Sequence, residues 1–207
     1  MGNAWPGADM RRKSLFSARF RAVIGVSLAV VALLPSAFAE SKKKEIFAGK
    51  QDTGRSIALE VLVDGTPDEL FKDWSTTVGI VQFFGSGSNV DPRVGGLYEI
   101  DFGRLPDGTV LGPRGNRILR YDPPRALDFE WMMPIFAQEL NTHPLPTWVE
   151  IRFEPFGDAG ERTLVKLTHH GFGQGDLWDQ CFSFFQRGWF DILFRLKLHR
   201  SYFVFSS

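Results

Sequence analysis

The 207-residue sequence has a single cysteine, Cys181. An intrachain disulfide and a cysteine-only metal cluster are therefore excluded. Tyrosine is scarce, three residues against twenty phenylalanines, so the aromatic content carries few phenolic groups. No charge sign dominates, because 24 Lys and Arg balance 24 Asp and Glu. That balance excludes the electrostatic footprint of a nucleic-acid binder. Disorder is excluded too, since 43% of the residues are hydrophobic. A bilayer-spanning run takes about 20 apolar residues. The longest run here, Ala22 to Leu34, has 13.

That short run has a context. Arg11, Arg12, Lys13, Arg19 and Arg21 precede it, and Pro35-Ser36-Ala37-Phe38-Ala39 follows. A basic n-region, a short apolar h-region and an Ala-x-Ala site make a signal peptide over 1–39. The predicted location is exported, periplasmic or secreted. The Sec route is expected, because the surroundings of Arg11-Arg12 fit the twin-arginine motif poorly. The alternative is an uncleaved anchoring helix. Cleavage after Ala39 removes five basic residues and one acidic residue and leaves 168 residues at net −4. That is the size of one domain, with no membrane span. Residues 40–55, with Lys42-Lys43-Lys44, read as a solvated leader, 56–200 as the domain, and 201–207, with Phe203 and Phe205, as a tail.

Alternation predicts strands. Ile57, Leu59, Val61 and Val63 alternate with Ala58, Glu60 and Leu62. Thr66, Pro67 and Glu69 then form a helix start, with Leu70, Phe71 and Trp74 as its apolar face. A second short helix carries Val78, Ile80, Val81, Phe83 and Phe84, and Gly85-Ser86-Gly87-Ser88 ends it. Further strands are predicted at Tyr98–Phe102, Asn116–Tyr121, Leu127–Trp131, Val149–Phe153 and Val165–His169, with a Pro-containing loop at 134–146. Repeated alternation with one apolar parity indicates an antiparallel sheet buried on one face. A long helix closes the chain, its apolar stripe made by Trp178, Phe182, Phe185, Trp189, Leu193 and Leu196.

This order, one strand, two short helices, a run of antiparallel strands and a long helix, resembles the helix-grip fold of the START-like, or SRPBCC, superfamily, also called Bet v 1-like. Local motifs are similar to those of the activator of Hsp90 ATPase homologue family. They are Val63-Asp64-Gly65-Thr66-Pro67-Asp68-Glu69-Leu70-Phe71 with Trp74, and Val94-Gly95-Gly96-Leu97-Tyr98. Tyr121-Asp122-Pro123-Pro124-Arg125-Ala126-Leu127, Leu167-Thr168-His169-His170-Gly171-Phe172 and Gly188-Trp189 extend the match. The resemblance implies an α+β fold in which a curved antiparallel sheet wraps a long C-terminal helix, with room for a cavity between them.

Apolar cavities are lined by large rings with a few polar groups that orient a ligand. By parity and helical spacing the candidate lining is Tyr98, Phe102, Phe129, Trp131, Phe153, His169, Trp178, Phe182, Phe185 and Trp189. The same rings could equally fill a dry core. His169 points inward and His170 outward. The former can donate to a ligand carbonyl or act as a general base, or else be a core histidine satisfied internally. Glu60, Asp101, Glu130 and Glu150 take the outward parity, so no acid–base pair of carboxylates is evident. The four histidines and Cys181 have no metal-ligand spacing, no cofactor motif occurs, and no activated nucleophile is signalled. Three functions follow. The first is an exported module for a small hydrophobic or amphipathic ligand, a lipid or an aromatic metabolite. The second is a cyclase- or hydrolase-like enzyme using His169, and the third an interaction module that activates a chaperone ATPase.

Overall fold

A computed structural model describes residues 53–142 and 145–203, with side chains through Ser201. The predicted signal peptide at 1–39, most of the leader, His143 and the last residues of the tail lie outside the described residues.

The chain opens with β1 (Ile57–Asp64), then α1 (Pro67–Ser75) and α2 (Thr77–Phe83). The start of α1 is chemically closed. Thr66 Oγ1 accepts from Glu69 N–H, and the Glu69 carboxylate accepts from Thr66 N–H at 2.7 Å. This reciprocal box satisfies donors that a helix start otherwise leaves orphaned. Thr76 ends α1 and caps α2, accepting from Gly79 N–H at 3.0 Å.

Next come β2 (Gly87–Val90), β3 (Tyr98–Asp101), β4 (Gly103–Arg104), β5 (Val110–Leu111), β6 (Ile118–Asp122) and β7 (Ala126–Glu130). A 3₁₀ turn at Ile135–Leu140 interrupts the Pro-containing loop. β8 (Trp148–Phe156), β9 (Arg162–His170) and α3 (Asp176–Phe203) complete the fold. The main sheet is antiparallel in the order β1-β9-β8-β7-β6. β3 pairs with β2 and reaches the edge of β6 through a Leu97–Arg117 bridge. Two predicted boundaries move. The Gly-Ser run expected only to end α2 continues into β2, where Ser88 pairs with Ile100 and Gly87 with Asp101. The last helix continues to Phe203, past the expected boundary at 200.

Alternation decides which face is buried. Along β9, Thr163, Val165, Leu167 and His169 are buried, while their neighbours are half-exposed. On α3, Cys181, Phe185, Trp189, Ile192, Leu193 and Leu196 are buried against the sheet. The result is the α+β helix-grip architecture. Each large apolar side chain it buries contributes about 1.5–3 kcal/mol.

Candidate functional site

The site is built where α3, the end of α2 and the strand ends on either side of Phe102 and Trp131 converge. A partly open cleft of about 610 Å³ lies there. Phe83, Phe84, Trp131, Phe185, Trp189 and Ile192 form its apolar wall. Gln82, Ser86, Asp191 and Arg195 supply polar atoms at its rim. A second cleft of about 390 Å³ adjoins it, bounded by Val110–Pro113, by Met132–Ile135 and by Gln138. Phe102, Trp131, Phe184 and Phe185 belong to both.

Local structure explains the placement. Trp131 follows the last residue of β7 on the same face as Phe129, whose ring it meets at 5.7 Å, and it stacks on Phe84 with centroids 5.8 Å apart. It also lies 4.9 Å from Trp189. Phe102 follows the last residue of β3 and is 45% exposed, against the buried position that parity gave it. A strand's alternation no longer governs a ring once the pleat has ended. Gly188, on the cleft side of α3, has open space where a Cβ would stand.

Of the ten predicted lining residues, Phe102, Trp131, Phe185 and Trp189 reach a cleft. The other six lie outside both. Tyr98 is buried, stacks on Phe129 at 4.1 Å and donates its hydroxyl to the Trp74 carbonyl at 2.9 Å. Burial raises its phenol well above the ordinary value, so it stays a neutral donor. Phe153 packs edge-on against Phe71. Trp178 and Phe182 surround Phe172, and the Arg55 guanidinium lies over the Phe182 ring.

His169 is one layer removed from the cleft. Its Nδ1 accepts from the Trp189 indole N–H at 3.0 Å, so Nε2 carries the proton. Phe172 and Phe185 pack edge-on against the imidazole at 4.5 and 4.9 Å. Burial, with the neighbouring His170 adding, pushes its pKa well below the usual value, and the ring is neutral. The imidazole is buried in the core, lines neither cleft and orients a cleft tryptophan. Phe172 arrives there because Gly171 turns the chain at φ 87°, and a Cβ would meet the Pro146 carbonyl oxygen at 2.3 Å.

On the other face of the sheet, His170 stacks on Trp148 and lies 3.6 Å from Glu150. The Glu150 carboxyl is held down at about 2, first by His170, with burial opposing and Arg152 assisting. Arg152 also pairs with Asp128. Burial raises the Asp128 carboxyl despite that guanidinium. Glu60, Asp101, Glu130 and Glu150 line neither cleft.

The lining that sequence reading missed includes Phe84, Val81 and Gly188. The Phe83-Phe84 doublet before Gly-Ser was the signal present for the first. Parity says nothing of a ring at a helix end.

A family model described as "Activator of Hsp90 ATPase homolog 1-like protein" matches residues 64–199, well over half of the chain. The chain belongs to this family. The matched segment holds both short helices, β2 to β9 and most of α3, so the family assignment and the cleft share the same residues. No curated protein matches significantly. Among solved structures, protein MLL2253 from Mesorhizobium loti is 17% identical, with 72% of this chain and 98% of that one covered at TM-score 0.55. The AHSA1-like protein from Aeromonas hydrophila is 18% identical, covering 72% and 93% at TM-score 0.51. CalU16 from Micromonospora echinospora is 25% identical, covering 71% and 76% at TM-score 0.51. The first two likenesses carry the fold alone.

Proposed function

We propose that the domain is an exported binding module that holds an apolar or amphipathic small molecule, a lipid or an aromatic metabolite, between sheet and final helix. The observation that carries this reading is the cleft itself, with an indole and phenyl wall and polar atoms only at its rim. Such a surface gains about 0.8 kcal/mol per methylene it removes from water. A ligand covering six methylenes would gain about 5 kcal/mol before the losses of association. Affinity beyond that would come from a directed contact, for which Gln82, Ser86 and Arg195 are placed.

Export rests on the sequence from Arg11 to Ala39. The family's name refers to activation of an Hsp90 ATPase. An ATP-driven chaperone partner is cytosolic, so an export signal argues against that role for this chain. A reporter fused to the C-terminus would appear outside the cytoplasm under our reading, and retention inside would revive the chaperone role.

The binding test is native mass spectrometry of the purified protein after incubation with a lipid extract. One retained species per chain is expected, lost in Gly188→Leu, whose side chain enters the open space at that position. No retained species from any extract would reject the reading.

A further inference from the structure

The outward side of α3 is apolar where a surface helix is ordinarily polar. Phe190 is 62% exposed, Phe194 52%, Phe184 44% and Leu198 40%. Residues 190, 194 and 198 are four apart and share one side of the helix. Phe184 carries the strip to the cleft, and Val81 and Phe102 are exposed on the cleft's opposite wall. Contiguous exposed rings of this extent mark an interaction surface.

Charge identifies the partner. Arg187, Arg195 and Lys197 sit among the rings, and Asp191 is the one acid between residues 187 and 198. None of the three cations enters an ion pair among the described residues. Pairing two copies through this face would gather three cations and one acid from each copy in one interface, a net like-charge excess that is unfavourable. Rings and aliphatics alternating with Arg and Lys along a helix instead match an interfacial membrane contact. No helix among the described residues is long and apolar enough to cross a membrane, so the contact is one of lying on the surface.

We infer that the Phe184–Leu198 face of α3 docks onto an anionic lipid surface. Phe190, Phe194 and Leu198 enter the headgroup boundary, while Arg187 and Lys197 meet the phosphates. Because Phe184 and Arg195 belong to both surfaces, docking brings the cleft mouth to the lipid layer. The contact does not depend on the cleft holding a ligand.

The test uses the full chain carrying an environment-sensitive fluorophore on Phe194→Cys. Cys181 is buried, so the label goes to position 194. This reports the face itself, whatever the basic N-terminal segment does. Vesicles of phosphatidylglycerol and phosphatidylcholine should shift the emission to the blue, and phosphatidylcholine alone should not. Arg187→Gln with Lys197→Gln should weaken the apparent affinity by about thirtyfold. Phe190→Asp with Leu198→Asp should abolish the shift. If that pair disturbs the helix by circular dichroism, the neutralised pair decides. An absent shift on anionic vesicles, or an equal one on neutral vesicles, overturns the inference. So does a shift that grows with protein concentration without vesicles, which would make the face a contact between copies.

Discussion

Two clusters of rings meet at Trp189 and behave in opposite ways. On one side Phe172, Phe182, Phe185 and His169 close tightly, with the imidazole 4.5 Å from Phe172 and Phe172 5.1 Å from Phe182. On the other, Phe84, Trp131 and Trp189 stand around an open cleft of about 610 Å³. The ring chemistry is the same on both sides, so aromatic content is not what makes a pocket. What differs is the residue facing the rings. Gly171 delivers a fully buried phenyl ring into the first cluster. Ser86 and Gly188 face the second and offer nothing large enough to fill it.

That contrast can be broken at several points. The largest effect is expected from Phe172→Ala, which removes the filling ring and should cost about 3–5 kcal/mol of stability. Phe102→Ala at the cleft mouth should cost less than about 1 kcal/mol. Urea unfolding of the two variants measures the difference, and equal losses would erase the distinction between the clusters.

His169→Leu comes next. It leaves the buried Trp189 indole N–H without an acceptor, for about 1–3 kcal/mol. Adding Trp189→Phe should recover part of that loss, which a double-mutant cycle would read.

The same imidazole sets an acid limb. Its pKa is depressed in the fold, so the unfolded chain takes up the proton first. Stability from His169 is full above the unfolded value of 6.5 and falls as pH drops below it. Unfolding midpoints measured across that range should decline with pH. In His169→Leu the decline should be shallower, and an unchanged slope would assign it to other groups.

The smallest effect on stability is expected on the open side. Gly188→Leu removes a helix glycine and its Cβ meets no atom within 4 Å, so it should be neutral or stabilise by up to about 1 kcal/mol. Loss of stability there would mean that the cleft wall crowds position 188.

Most of the architecture was legible because it follows local rules. The Thr66–Glu69 box marks its helix, and β9 alternates residue by residue as its sequence does. β2 was not legible, because Gly-Ser pairs read as turn and Ser88 gains its strand only by pairing with Ile100. The site was half legible for a related reason. Parity separates inside from outside, but Phe129 and Trp131 share the inward parity, meet at 5.7 Å, and only Trp131 lines the cleft. One is covered by Tyr98 at 4.1 Å, and the other, two residues further along the same face, stands where the cleft begins. Where a strand stops relative to the helix opposite it is a tertiary fact that a periodicity does not contain.

The missing side chain at position 188 has a further meaning. Alanine, serine, valine and leucine there would shrink the cleft in small steps, starting from a Cβ position with no atom within 4 Å. Under the proposed binding function, one α-carbon would then act as a gauge for ligand girth. A series of acyl chains or fused rings of rising width, offered to each variant, would be excluded in order of size. Selectivity in this domain would then be a single-site trait, adjustable independently of the scaffold.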